Sequence, residues 1–512
     1  MRCCFIGAAI KVVPRHSPFD RVGAFLFYFG GGFFMAEKQQ FVTQIADINE
    51  DFSQWYTDVI LKTQMVDYGP VKGTMVIRPY GYGIWEQIQK ELDARFKETG
   101  HENAYFPMFI PESFLRKEAE HVEGFAPEVA WVTHAGDEEL AERLVVRPTS
   151  ETIICAMYSK WVQSWRDLPL LYNQWCNVVR WEKSTRPFLR TSEFLWQEGH
   201  TIHETAEEAQ EETLRMLEVY REFAENVLAI PVICGRKSEK EKFAGAVATY
   251  SMEAMMLDGK ALQAGTSHFL GEHFAKVFDI QFLNKDGQLQ YVNQTSWGVS
   301  TRLIGGIVMV HGDKRGLVMP PKVAPIQVVI LPIAPHKEGV NEKAAELFTL
   351  LKKAGIRVKL DDRDASPGWK FNEWEMKGVP VRLEVGPKDI EKGQVVLVRR
   401  DTLEKLFVPM EDLAETVQAL LAQIQVNMLE KARAFRDAHT ITATDWDTFR
   451  QAIEDKCFVY ASWCGERECE DAIKEATGAT TRNMPFDGKK VSDVCVHCGK
   501  PSKYHLYFAK SY

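Results

Sequence analysis

Residues 178–194 read VVRWEKSTRPFLRTSEF. Four cations, Arg180, Lys183, Arg186 and Arg190, fall within eleven residues of a chain whose formal net charge is −9. Cations this close repel one another unless solvent or an anion neutralises them. A solvated hairpin face is one reading and a phosphate site is the other. The flanks predict the hairpin: NQWCNVVRWE before and EFLWQEGHT after each have strand character, joined by a polar loop containing Pro187.

Working outward, 512 residues at 45% hydrophobic and 26% charged are enough for three or four globular domains. The acidic balance excludes a whole-molecule attraction for nucleic acid, so a polyanion partner must be met by local basic patches. Cys3, Cys4, Cys155, Cys176, Cys234 and Cys457 follow no disulfide spacing, which fits a reducing cytoplasm. Residues 1–35 are basic, then uncharged and Phe/Gly-rich from Val22 to Met35. That run is too short to span a bilayer, and the segment is expected to be an upstream leader, with Met35 before AEKQQ as the functional start. No membrane partner is expected.

From Phe41 to Asp58 apolar residues recur at helical spacing, predicting an amphipathic helix. A strand, a Gly/Pro turn and a helix with Ile84, Trp85, Ile88 and Leu92 on one face follow, ending at Gly100. LVVRPTSET predicts a short strand and turn before the helix of IICAMYSKWVQSW, and a long acidic helix precedes strands at ATYSMEAMML, ALQAGTSHFLG and YVNQTSWGVS. Strands in runs with helices outside argue for an antiparallel-rich α+β domain over residues 36–322. The proline-rich MPPKVAPIQ, 319–327, predicts a linker. Strand and helix then alternate as a compact α/β domain over 326–425, and a small, helix-rich α+β tail over 426–512 holds the remaining four cysteines.

Three stretches carry a resemblance jointly. GHENAYFPMFIP contains Gly100 and Pro107; RWE at 180–182 is followed by RTSEF at 190–194; and in SWGVSTRLIGG Arg302 opens a helix after a strand. With them, residues 36–512 resemble a class II aminoacyl-tRNA synthetase, and within that class the prolyl-tRNA synthetases of archaeal and eukaryotic-like type. The resemblance implies a class II antiparallel-sheet catalytic domain and a homodimer formed through the first stretch. It implies that Arg180 touches both the amino-acid carboxylate and the α-phosphate of ATP. It also implies that Glu182 faces the adenine region, that Arg190 and Thr191 hold ATP, and that Phe194 stacks on the base. Arg302 is implied to pair with the γ-phosphate, and Ser300 to contact the nucleotide. Adenylation joins two anions, and a guanidinium neutralises both without losing its proton. A helix N-terminus adds free N–H groups and a favourable dipole. Lys183 and Arg186, at the loop tip, fit contacts to the tRNA acceptor end.

Other residues concern the amino acid. In RPTSE, Thr149 and Glu151 are two apart, so an extended backbone would point both the same way, and a hydroxyl plus a carboxylate suit the two donors of a secondary ammonium. The resemblance gives both positions that role. It also implies that Gln263 and Thr266 meet ATP, that His268 meets proline, that Trp196 and Phe243 wall the pyrrolidine ring, and that His200 stands beside the same pocket. No general base is needed, because the substrate carboxylate is already a nucleophile; Mg2+ is expected as a further clamp.

Residues 326–425 resemble the anticodon-binding domain of that class, with WKFNEWEMKGVPVRLEVGPKD its most family-like stretch; Glu375 and Arg382 are expected to read guanines of the tRNA(Pro) anticodon. Cys464, four residues, Cys469, 25 residues, Cys495, two residues, Cys498 suits a tetrahedral structural Zn2+. His497 lies inside the last pair without being needed. The same type of enzyme shares the tail and its terminal Ser511–Tyr512. Only about 120 residues separate Arg180 from Arg302, which leaves no room for a large inserted editing domain. A threonyl enzyme would want a catalytic zinc with Cys and His ligands, and no such set stands between 140 and 310. A tRNA-binding scaffold without activity would be expected to lack one of Arg180, Glu182, Arg190, Gln263 and Arg302. The expectation is therefore an ATP-dependent ligase for L-proline and tRNA.

Overall fold

The computed structural model describes residues 45–119 and 128–512. The expected leader lies outside the described residues, as does the beginning of the helix expected from Phe41. Helix α1 (Phe52–Lys62) starts later than expected: the Asp51 carboxylate accepts from Gln54 N at 2.9 Å, an N-cap that sets the start, and residues 45–51 are not helical. The remaining labelled helices are α2 (Pro79–Glu98), α3 (Glu151–Trp161), α4 (Ala206–Asn226), α5 (Arg302–His311), α6 (Pro367–Met376), α7 (Leu413–Ala438) and α8 (Arg467–Thr477). Ile84, Trp85, Ile88 and Leu92 of α2 are buried together, as their spacing predicts.

One eight-stranded sheet organises the catalytic region. Its strands are β1 (Glu102–Asn103), β2 (Leu170–Val179), β3 (Glu193–His203), β4 (Val232–Arg236), β5 (Ala248–Met255), β6 (Ala261–Gly271), β7 (Asn293–Ser300) and β8 (Met484–Pro485), in the order β8-β4-β5-β6-β7-β3-β2-β1. All neighbours are antiparallel except β1 and β2. Helix α4 packs on β5, β6 and β7, and its Met216, Tyr220 and Phe223 join Trp297 and Val299 in the main core. Burying each such large apolar side chain contributes roughly 1.5–3 kcal/mol. Gly199 of β3 is required by close approach: it pairs with Trp297, and a Cβ there would overlap the indole.

MPPKVAPIQ is a connection without being an exposed linker. Met319, Val323 and Ala324 belong to the main core, and the Arg357 guanidinium donates to Ala324 O at 2.7 Å and Pro321 O at 2.7 Å. Beyond it, a five-stranded mixed sheet runs in the order Val358–Leu360, Val328–Pro332, Val381–Val385, Gln394–Arg399, Lys405–Pro409, with the first three parallel. The expected boundary at 425/426 falls inside α7, one continuous helix whose buried Leu420, Leu421, Ile424 and Met428 pack on this domain. The tail is α+β, as expected: a four-stranded sheet, Thr440–Ala443, Phe458–Trp463, Tyr504–Ala509, Thr480–Thr481, forms its centre. Its β8 segment continues the edge of the catalytic sheet.

Candidate active site

The opening stretch is a hairpin, β2 and β3, and its four cations separate. Arg180 turns inward: its Nε donates to Pro148 O at 3.0 Å, and the guanidinium lies 5.6 Å from the Phe194 ring and 5.4 Å from Trp196. Arg190 pairs with Glu182 at 3.7 Å, and exposed Lys183 with Glu128 at 3.0 Å. Arg186 is not a free tip. It lies over the rings of Tyr56 (4.7 Å) and the C-terminal Tyr512 (5.4 Å) and donates to Ser53 O.

Beside Arg180 opens a cleft of about 270 Å³. Twelve of the expected residues line it: Thr149, Glu151, Arg180, Phe194, Trp196, His200, Phe243, Gln263, Thr266, His268, Ser300 and Arg302. Glu182, Arg190 and Thr191 do not. Thr191 is buried with its hydroxyl donating to Glu193 O at 2.7 Å, whereas the charges of Glu182 and Arg190 still act on Arg180 and Arg302.

Strand geometry explains the grouping. Trp196, Glu198 and His200 alternate along β3 and share one face with Tyr172, Gln174 and Cys176, their partners on β2. Gln263 and Thr266, three apart, would point to opposite faces of a regular strand. The register of β6 against β5 shifts there, Met252 facing Gly265 and Glu253 facing Gln263, and the extra residue Ala264 brings both to the cleft. Thr149 and Glu151 meet differently from the expectation. Ser150 has φ −109° and ψ 2°, so the backbone is not extended; Glu151 opens α3, and the Thr149 hydroxyl donates to its carboxylate.

Electrostatics divide the cleft. Burial lowers the pKa of Arg180 against the opposing pull of Glu151, Glu198 and Glu182, and burial with the charges of Arg190 and Arg180 lowers that of Arg302. Arg302 donates to Leu189 O at 3.2 Å and Gln263 O at 3.4 Å, and its own N–H is taken by Ser300 Oγ at 3.2 Å. The first helical amide is thus already spent. Among the described residues, neither Arg180 nor Arg302 has a carboxylate within ion-pair distance. On the other side, His268 Nδ1 shares a 2.9 Å hydrogen bond with Thr249 Oγ1, and burial depresses its pKa to about 3. Burial, the largest influence, would depress His200 likewise, but its 2.9 Å contact with Glu198 and the charges of Glu151 and Glu198 together outweigh it and raise the pKa.

Three family profiles match consecutive parts of the chain: "tRNA synthetase class II core domain (G, H, P, S and T)" over 131–311, "Anticodon binding domain" over 327–420, and "Prolyl-tRNA synthetase, C-terminal" over 446–512. The proline–tRNA ligase of Ruminiclostridium cellulolyticum is 65% identical over 479 residues, 93% of this chain and 100% of that one. That of Alkaliphilus oremlandii is 65% identical over 478 residues, 93% and 99%. The chain belongs to the proline–tRNA ligase family. A crystal structure of prolyl-tRNA synthetase from Cryptosporidium parvum, complexed with halofuginone and AMPPNP, superposes with a TM-score of 0.88 at 44% identity, covering 91% of this chain and 99% of that one. The class II fold, the anticodon-binding domain and the family's C-terminal domain are therefore as the resemblance implied.

Sequence reasoning missed Glu198, Glu241, Thr249 and Ser296, all on the cleft walls. For Glu198 a signal existed: it lies in the same QEGH as His200, two residues away on one strand face. Glu241 sits in the turn between β4 and β5, and Thr249 and Ser296 depend on strand pairing; Ser296 of β7 faces His200 and His268 across the ladder, and its buried hydroxyl has no partner among the described residues.

In the tail, all four expected cysteines converge, each Sγ within 4.8 Å of the others. Cys469–Cys495 stand at 3.6 Å and Cys464–Cys498 at 3.7 Å. A tetrahedron of 2.3 Å Zn–S bonds has edges of about 3.8 Å, so the donor set fits zinc. His497 lies 3.4 Å from Cys469, edge-on to Trp446. In the anticodon domain, Arg382 donates to Glu375 and Glu384, both at 2.9 Å, and Arg315 takes the other Glu375 oxygen at 2.9 Å. The two expected base readers are engaged with each other.

Proposed function

We propose that this chain activates L-proline with ATP to prolyl-adenylate and pyrophosphate, then transfers proline to the 3′ end of tRNA(Pro). The observation that carries the reading is one cleft in which two arginines, without carboxylate partners among the described residues, stand with a Thr–Glu–His set. Thr149 and Glu151 take the two donors of proline's secondary ammonium, and Trp196, Phe243, His200 and His268 enclose the ring. Arg180 bridges the carboxylate and the α-phosphate, so the nucleophile attacks an anion whose charge is already compensated. Arg302 holds the γ-phosphate and the leaving pyrophosphate. Phe194 stacks on adenine, with Gln263, Thr266 and Ser300 completing the nucleotide side of the cleft; Glu182 and Arg190 act on it through their charges from outside the cleft wall, and Thr191, its hydroxyl given to Glu193 O, stays behind it. The ribose hydroxyl of tRNA then attacks the adenylate carbonyl, and the adenylate phosphate accepts the proton.

Mg2+ would be bound mainly through triphosphate oxygens. Glu241 is the wall carboxylate without a side-chain hydrogen bond among the described residues and would be its protein contact. Zn2+ is structural, because four thiolates leave no open position. The protein works as a homodimer in the cytoplasm, through the stretch that exposes Tyr105 and Phe109. Glu375 and Arg382 read anticodon guanines after their mutual pair opens.

Amino-acid-dependent ATP–pyrophosphate exchange tests the reading, with proline, alanine, cysteine and threonine compared. Exchange strongest with proline is the expected result; no exchange with any of them, from folded protein that binds tRNA, overturns it. Metal analysis of the same protein should give one zinc per chain, lost in Cys495→Ser.

A further inference from the structure

The best-connected polar side chain of the cleft is one with no role so far. Glu198 is 3% exposed, yet its carboxylate accepts five hydrogen bonds. To Oε1 come the Ser150 hydroxyl, Gln174 Nε2 at 3.0 Å and the Cys176 thiol at 3.4 Å; to Oε2 come His200 Nε2 at 2.9 Å and Ser150 N at 3.3 Å. Gln174 is itself fixed by Phe106 N at 2.5 Å. Cys176 Sγ accepts from Trp196 Nε1 at 3.2 Å, and Ser150 is the residue before Glu151, the first of α3.

We infer that Glu198 is a positioning residue that sets three walls of the proline pocket at once: His200 directly, Trp196 through Cys176, and Glu151 through Ser150. A carboxylate suits this place because every neighbour is a donor, so both oxygens are satisfied only while it is charged. Its charge also faces His200, which keeps the imidazolium favoured inside a buried pocket. The other titratable groups facing His200 are Glu151 of α3, Tyr172 of β2 and His268 of β6, with Arg180 acting through Glu198; the His200 carbonyl accepts from Tyr158 of α3 at 2.8 Å. None of them except Glu198 forms a hydrogen bond to the ring.

The inference rests on the proposed function, and wild-type exchange with proline separates the two: if it is absent the functional reading fails, whatever Glu198 does. Given that exchange, Glu198→Gln is expected to raise the proline KM about tenfold or more at pH 7.5 while the ATP KM stays within about twofold. Losing the charge lowers the His200 pKa, so the pH limb of the proline KM moves to lower pH. Glu198→Asp, which keeps the charge, should restore the position of that limb more than the KM. The inference is overturned by an unchanged proline KM in Glu198→Gln. It is overturned equally by a raised KM with the pH limb unmoved, which would make Glu198 a direct substrate contact. If Glu198→Gln does not fold, as judged by thermal unfolding, Glu198→Asp decides: a raised proline KM with wild-type pH dependence and ATP KM supports the inference, and wild-type proline KM sinks it.

Discussion

The cleft and the anticodon domain each set arginine beside glutamate, with opposite results. In the cleft, Arg180 and Arg302 are held by backbone carbonyls, Pro148 O for one and Leu189 O and Gln263 O for the other. A carbonyl orients a guanidinium without cancelling its charge. In the anticodon domain, Arg382 is paired with Glu375 and Glu384 and lies 4.1 Å over Phe371. Its charge is compensated before any ligand arrives. The difference separates a site whose guanidinium charge is uncompensated from one whose charges are already paired.

The largest effect that could break this comparison is on adenylation. Arg180→Ala and Arg302→Ala should each lower ATP–pyrophosphate exchange by about 10²- to 10³-fold or more, because each removes a charge the transition state needs. Arg382→Ala should leave exchange unchanged. Equal losses in the three variants would mean that the arginines of the cleft are structural too.

A smaller effect sharpens the anticodon side. Arg382→Ala should raise the KM for tRNA(Pro) about tenfold in aminoacylation, on the scale of one lost bidentate contact. Glu375→Gln should change it less, because it removes one reader while releasing Arg382 and Arg315 from a pair that reading must open. A tRNA KM unaltered by both would remove these residues from anticodon reading.

The smallest effect separates the regions by pH. Burial depresses His203 and His311 to about 4 and His268 to about 3, all in the catalytic domain, whereas the one histidine of 326–425, His336, is exposed. A histidine with a depressed folded pKa binds its proton in the unfolded chain first. Its neutral form therefore stabilises the fold above about pH 6.5, and that contribution is lost as pH falls towards the folded value. Each should cost roughly 1–2 kcal/mol by pH 5. Thermal unfolding followed at pH 7.5, 6 and 5 should show the catalytic domain losing midpoint first. A midpoint flat across this range would contradict the burial of these imidazoles.

Local pattern made much of the fold legible. The strand character of NQWCNVVRWE and EFLWQEGHT, and the apolar face of α2, depend only on neighbours in the chain. The errors fell where tertiary contacts intervene. The 426–512 boundary cuts through α7 because that helix belongs to two domains at once, and the proline-rich 319–327 reads locally as a linker although Val323 and Ala324 are core. Thr149 and Glu151 were assigned the same direction for the wrong reason; a helix start, and not a strand, aims the second carboxylate.

By itself the sequence determined which chemistry was present: arginines at the hairpin and at the head of α5, a Thr–Ser–Glu run, and four cysteines in tetrahedral spacing. The residue types limit what can meet a phosphate, an ammonium or a metal, and type is a property of sequence. Only the tertiary structure decided which charges remain unspent. The register shift in β6 brings Gln263 and Thr266 to one face, strand pairing puts Ser296 opposite His200, and one buried carboxylate, Glu198, gathers donors from β2, β3 and the start of α3. Hydrogen-bond satisfaction belongs to pairs of groups in space, and residues 24 or 48 positions apart in the chain carry no local sign that they will form one.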